Sequence, residues 1–278
     1  MNRLLAAYRR SAVKSGKAIL GRMGLSVLKA AQLEQLLEAS RSQFDLKFVR
    51  SFATDKAHDI IDLFPASKAQ LRQDVFALLA LQMKKGGYFV EFGATDGVTL
   101  SNTFLLEKQF GWTGILAEPA RVWRERLCNA RECAISLECV WPRSGEVVEF
   151  CETPWSEIST SKEHLESDGH KGLRADYKSY AVRSISLSDL LKKHNAPQII
   201  DYLSIDTEGS EFEILNNFPF EDYSFNVITC EHNYTENREK ILALLSKNGY
   251  VRVLDNLSDF DDWYVSKSLR SDFFEIPT

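Results

Sequence analysis

Two textures of apolar and polar positions divide the chain. Up to about residue 80, apolar residues recur at helical spacing. Leu33, Leu36 and Leu37 form one stripe, and Leu71, Val75, Phe76, Leu78 and Leu79 another. This predicts helices broken near Pro65, with Ser67 as a cap for the second. Residues 1–80 therefore read as an N-terminal helical extension that packs and does not catalyse. From Gly86 onward the period changes. YFVEF (88–92) is a short strand, GATDG (93–97) a glycine-bounded loop, 98–110 a helix, WTGILAE (112–118) a second strand closed by Pro119, 121–131 a second helix and 133–137 a third strand. Such alternation marks a parallel sheet with helices on its faces.

Residues 140–183 interrupt the rhythm. EVVEF (146–150) suits a hairpin arm, and 153–178 is rich in Ser, Gly and charge, as expected of a substrate loop or lid. Alternation then resumes. A helix over 186–194 has Ser186 and Ser188 as candidate caps. The buried strand IIDYLSI (199–205), a helix over 210–218, the strand FNVITC (225–230) and a helix over 235–248 follow, the last ended by Gly249 in the left-handed cap conformation. Strands at 250–254 and 263–266 complete the pattern. The expected fold is α/β: a Rossmann-like, mostly parallel sheet of about seven strands. It occupies a domain at 81–278, behind the helical extension, with the insertion at 140–183 inside it.

Composition refines this picture in three places. The 278 residues carry a formal charge of −5, which argues against a nucleic-acid partner. The charge is unevenly placed: Arg3, Arg9, Arg10, Lys14, Lys17, Arg22 and Lys29 give residues 1–30 a charge of +7 without one acid. That stretch suits a helix with a solvated basic face, contact with an anionic membrane surface, or a transit peptide. The five cysteines, Cys128, Cys133, Cys139, Cys151 and Cys230, are odd in number and lack C-x-x-C spacing. They read as reduced thiols of a cytoplasmic protein, and they do not form a zinc-ligand cluster.

Chemistry concentrates at predicted strand ends, where an open parallel sheet binds its ligands. Glu91, Gly93, Ala94, Asp96 and Gly97 form the first group, with Ser101 and Asn102 beyond it on the predicted helix. Glycine permits a tight turn and close approach of a ligand, and a helix start offers free N–H groups. The spacing E-x-G-x-x-x-G lacks the third close glycine of the dinucleotide fingerprint. An acid with fewer glycines suits a ligand with a cationic amine and no phosphate, such as S-adenosylmethionine. Glu118 stands where nucleotide-binding α/β domains hydrogen-bond ribose hydroxyls. The pair Asp206 and Glu208 should face the same crevice. It could hold an amine, orient an acceptor hydroxyl, hold a divalent cation, or cap the next helix. His232, at another strand end, could take a proton from a hydroxyl. Asp206, Glu208 and His232 are thus the acceptor-side catalytic candidates, and Glu91, Gly93, Ala94, Asp96, Gly97, Ser101, Asn102 and Glu118 the cofactor side. No residue is assigned to a metal.

Together these blocks resemble the FkbM family of S-adenosylmethionine-dependent methyltransferases, over residues 87–267. The resemblance is carried by FVEFGATDGVTLSNTFLLEK (89–108), GILAEP (114–119), VRSISLSDLL (182–191), DYLSIDTEGSEFEIL (201–215) and CEHN (230–233). The family's D-x-E-G-x-E block is present as Asp206, Glu208, Gly209 and Glu211. Its glycine loop often reads G-A-N-x-G, and here Thr95 and Asp96 fill the variable positions. The segment RMGLSVLKAAQLEQLLEA (22–39) is similar to N-terminal segments of family members that accompany polysaccharide biosynthesis, which weighs against a transit peptide. The resemblance implies a class I methyltransferase fold, S-adenosylmethionine as cofactor, and O-methylation of a sugar, polysaccharide precursor or other small molecule. Two rivals fare worse. A nicotinamide-dependent oxidoreductase is disfavoured by the missing glycine and by the lack of a Tyr-x-x-x-Lys pair. A non-catalytic interaction protein is disfavoured by intact acids at three strand ends.

Overall fold

The computed structural model describes residues 30–52 and 57–269; the basic residues Arg3 to Lys29, read as a solvated helix face, a membrane contact or a transit peptide, lie outside them. Among the described residues no helix is long and apolar enough to cross a membrane. The chain divides into two compact units, Met1–Lys47 and Phe48–Thr278. Helix α1 (Ala30–Arg50) spans the division and leaves Leu36 and Leu37 exposed.

In the second unit, α2 (Ala57–Ile61) and α3 (Gln73–Ala80) precede the sheet. Every residue of α3 is buried. Phe76 stacks on Trp263 with ring centroids 4.6 Å apart, and Phe48 meets the same indole edge-on. A helix apolar on nearly all sides is a core helix, so α3 belongs to the sheet's own core. Ser67 does not cap it. Its hydroxyl donates to Asp74 across 2.7 Å, and the helix begins after Arg72, which takes a left-handed conformation.

The alternation continues through β1 (Tyr88–Phe92), α4 (Phe104–Phe110), β2 (Thr113–Ala117), α5 (Arg124–Ala130) and β3 (Ala134–Ser136). The insertion supplies β4 (Cys139–Val140), β5 (Val147–Glu152), β6 (Thr160–Ser161) and β7 (Lys178–Ile185). Then come α6 (Leu187–Lys193), β8 (Ile199–Ile205), α7 (Glu211–Asn216), β9 (Ser224–Glu231), α8 (Asn237–Lys247), β10 (Tyr250–Val253) and β11 (Asp261–Ser266). Ser186 caps α6 by accepting from the Asp189 N–H; Ser188 lies inside the helix. Gly249 follows α8 at φ +87°.

The main sheet has seven strands in the order β10-β11-β9-β8-β1-β2-β3. The pairs β3/β2, β2/β1, β1/β8 and β8/β9 are parallel, and β11 runs antiparallel to both its neighbours. This is the class I methyltransferase arrangement. Strands covered on both faces read as continuous apolar runs, and β8 is buried from Ile200 to Ile205. The core on one face gathers Val90, Ile115, Leu190, Leu203, Ile214 and Ile228. The insertion forms a second sheet, β4-β7-β5-β6, with β5 antiparallel to both β7 and β6. Strand order reverses between β1 and β8, which opens a crevice at their carboxyl ends.

The helix expected over 98–110 starts only at Phe104. Side chains capture the backbone first. Asp96 accepts from the N–H groups of Val98 and Thr99, and Glu91 accepts from that of Asn102. Carboxylates that bond nearby backbone N–H groups compete with helix formation. The free helix start expected just past Gly97 is therefore displaced by six residues.

Candidate functional site

A cleft of about 1030 Å³, its open mouth included, lies over the carboxyl ends of β1, β2, β8 and β9. Its floor is two backbone turns in contact. Gly93, at φ +70°, approaches the β8 turn so closely that a Cβ there would fall 2.1 Å from the carbonyl oxygen of Asp206. Only glycine fits the conformation and the space.

Of the predicted cofactor-side residues, Glu91, Gly93, Asn102 and Glu118 line the cleft, whereas Ala94, Asp96, Gly97 and Ser101 do not. Glu91 is buried and accepts from Ser101 Oγ, the Asn102 N–H and Thr103 Oγ1. Burial raises its pKa, the Arg131 guanidinium and these donors only partly opposing. Arg131, fully buried, bonds Glu107, the Gly97 carbonyl, Ser101 and Thr103. Gly97 is needed for packing: a Cβ would sit 2.7 Å from Arg131 and Leu127 side-chain carbons. Asp96, Gly97 and Ser101 thus hold the loop's shape from behind. Asn102 donates to Ser204 Oγ, and its Oδ1 is buried without a partner.

Glu118 closes β2. Its carboxylate accepts from the N–H groups of Thr95 at 2.9 Å and Ala120 at 2.7 Å. Burial lifts its pKa to about 7, against the pull of those two N–H groups and with help from the nearby Glu152 charge.

The acceptor-side candidates separate. Asp206 and Glu208 line the cleft; His232 does not. The His232 side chain is buried, its Nδ1 accepts from the Tyr234 N–H, and its Nε2 faces Asp262 at 3.7 Å. Glu208 stands at φ +61°, a conformation non-glycine residues hold only when surroundings enforce it. The enforcement is visible. Glu211 accepts from the Thr207 and Gly209 N–H groups and knits the turn, while the buried Arg174 of the insertion bonds Glu208 and Asp168 together. Gly209, at φ +130°, leaves room for His164 and Ser167 of the insertion.

Several site residues lay beyond sequence reasoning. Glu231, last of β9, and Asp261, first of β11, are cross-strand partners that line the cleft. Gln73 of α3 donates to Asp261 across 3.0 Å. The acid pair preceding the apolar WYV run (263–265) was the available signal. Trp141, Ser156, Ser159 and Ser161 bring the insertion to the wall of the cleft.

Asp206, Glu208 and Glu231 each present a carboxylate oxygen within 4.8 Å of the others. Burial raises the pKa of Asp206 and of Glu231 well above the carboxylate range, reinforced by Glu208 for the first and by Asp206 for the second. Asp261 is lifted to about 7, again chiefly by burial. Arg174 offsets Glu208, but no ion pair to Asp206, Glu231 or Asp261 is formed among the described residues. The cleft thus joins the buried carboxylate at the end of β2 to an acid-rich end that suits a proton, a cation or an amine.

Comparison with known proteins fits this geometry. The sequence model of the methyltransferase FkbM domain matches residues 91–259. A precorrin-6y C5,15-methyltransferase from Geobacter metallireducens GS-15 superimposes with a TM-score of 0.38 at 10% identity, over 69% of this chain and 85% of that one. A methyltransferase FkbM from Methylobacillus flagellatus KT gives 0.42 at 11% identity, over 81% of this chain and 59% of that one. No curated protein sequence matches. With the family model spanning the glycine loop, Glu118, the D-x-E-G turn and the end of β9, the chain belongs to the FkbM methyltransferase family.

Proposed function

We propose that the protein transfers the methyl group of S-adenosylmethionine to a hydroxyl oxygen of a small-molecule or carbohydrate acceptor. The observation that carries this reading is the single cleft running from Glu118 at the end of β2 to Asp206 at the end of β8. The residues suit the cofactor. Glu118 uses one lone pair of each oxygen on a backbone N–H, leaving acceptor capacity for ribose hydroxyls. The buried, unpaired Asn102 Oδ1 can accept from the methionine amine. When bound, S-adenosylmethionine supplies an electrophilic methyl on a sulfonium.

The chain's own work is then placement and proton transfer. Holding acceptor oxygen and methyl in near-attack geometry accounts for most of the rate. Asp206 would accept the proton of the acceptor hydroxyl as that oxygen is methylated. Burial raises the pKa of Asp206, which makes it a stronger base than an exposed carboxylate. Glu208 and His232 position: Glu208 anchors the insertion through Arg174, and His232 braces Asp262 below β9. Trp155, 64% exposed beside the Ser156 and Ser159 of the wall, offers a flat apolar face of the kind a sugar ring stacks on. A cytoplasmic location goes with this reading, with residues 1–29 as the proposed contact to a membrane surface.

Calorimetry on wild type and Glu118→Gln is the test. Micromolar binding of S-adenosylmethionine, weakened at least tenfold by the substitution, is the expected result, followed by methyl transfer in a screen of sugars and sugar nucleotides. A folded wild type that binds no cofactor would overturn the proposal.

A further inference from the structure

We infer that Asp206, Glu208 and Glu231 form a binding site for one hard divalent cation, Mg²⁺, Mn²⁺ or Ca²⁺, at the acceptor end of the cleft. Three observations carry it. The first is spacing. Two ligands of one ion stand no farther apart than twice the metal–oxygen distance, about 4.2 Å for Mg²⁺ and about 4.8 Å for Ca²⁺. The three carboxylates each present an oxygen within 4.8 Å of the other two, which meets the Ca²⁺ limit as they stand and the Mg²⁺ limit after side-chain movement of at most about 0.6 Å.

The second is unmet valence. Glu231 Oε2 is buried and has no hydrogen-bond partner, and Asp261 Oδ1, on its cross-strand neighbour, is in the same condition. Both residues are more than nine-tenths buried and line the cleft. Buried polar atoms are nearly always paired, and two orphaned carboxylate oxygens beside a cluster of acids call for a positive partner. Among the described residues, the buried Arg174 is already paired with Glu208 and Asp168.

The third is donor chemistry and access. The set is carboxylate oxygen only, without His or Cys, which selects hard cations over zinc or copper. The site opens to the cleft, so water and acceptor oxygens can complete the coordination shell. The twisted backbone at Glu208 and Gly209, with the Glu211 clamp, fixes two of the three ligands on one short turn.

The inference concerns the acid-rich end alone, and it is tested without cofactor so that its failure stands apart from failure of the proposed activity. Chelator-treated full-length protein is titrated with Mn²⁺, and free Mn²⁺ is read by electron paramagnetic resonance. One ion per chain is expected, displaced by excess Mg²⁺ or Ca²⁺. Asp206→Asn and Glu231→Gln should each weaken binding at least tenfold, while Glu118→Gln, at the other end of the cleft, binds Mn²⁺ as wild type does. Both amide substitutions relieve crowding among acids, and far-UV circular dichroism checks their fold. Should neither fold, Asp261→Asn, which removes the neighbouring orphan oxygen, is expected to weaken binding several-fold. Wild type that takes up no Mn²⁺ at millimolar concentration would show that the acids share protons only. Uptake indifferent to these cluster substitutions would place the ion elsewhere. Either result overturns the inference.

Discussion

Gly93 and Asp206 touch backbone to backbone: the place a Cβ would take on Gly93 is 2.1 Å from the Asp206 carbonyl oxygen. This contact welds the turn after β1 to the turn after β8 and sets the cleft floor. Gly93→Ala should therefore cost about 1–3 kcal/mol from overpacking and a further ~1 kcal/mol from the left-handed backbone. Urea unfolding measures the loss, and calorimetry should show weakened cofactor binding in whatever folds. Gly111→Ala, also at positive φ but in open space, should show the conformational part alone.

Arg174 is the keystone between insertion and D-x-E-G turn. Arg174→Met leaves the buried Glu208 and Asp168 carboxylates with only His170 and Asn233 beside them, and removing one partner of a buried ion pair typically costs about 3–5 kcal/mol. Chemical denaturation should register most of that. Limited proteolysis should cut the variant within 153–178 sooner than wild type.

Glu118 predicts a pH dependence of cofactor binding. Its pKa is lifted to about 7, and ribose hydroxyls are donors that favour the ionised carboxylate. Affinity should be level above about pH 7 and fall roughly tenfold per pH unit below it, the slope of one proton taken up before binding. Calorimetry at pH 5.5 and 8 checks this. Glu118→Gln should bind weakly at both values, and a wild-type affinity independent of pH would contradict the role.

Stability should move the other way with pH. Asp74, raised by burial to about 6, and Glu118, at about 7, hold protons more tightly folded than unfolded. The stability they contribute is present at low pH and is lost as pH rises from about 4 to 7. Glu107 acts oppositely. Burial pushes it up, but Arg131 and its hydrogen-bond donors together bring it to about 2, so its contribution is present above about pH 4.5 and lost below. Without ligand, the thermal midpoint should peak near pH 5 and decline toward pH 7.5. Asp74→Asn should flatten part of the decline.

Strands and strand-end loops were legible because apolar runs bounded by glycine and acid have few other physical meanings. YFVEF, GILA and IIDYLSI became β1, β2 and β8 within a residue or two. The stretch 98–103 was not legible: its residues tolerate a helix, and what prevents one is the reach of Glu91 and Asp96, a three-dimensional fact. His232 shows the same limit. Position at a strand end suggested an open base, but one residue beyond β9 the ring faces Asp262 and does not line the cleft. Gln73 and Asp261, 188 positions apart in sequence, carry no sign of their meeting.

The buried Arg174 bond to Glu208 has a consequence for how acceptor range can diversify. The insertion supplies part of the cleft wall, and in an unlinked architecture it could be exchanged freely between related enzymes. Here a graft lacking the arginine would strand Glu208, an acid of the turn on the cleft floor. New specificities should therefore arise by substitution among wall positions such as Trp141, Ser156 and Ser159, or by swaps that carry the Asp168–Arg174 pair along as a cassette.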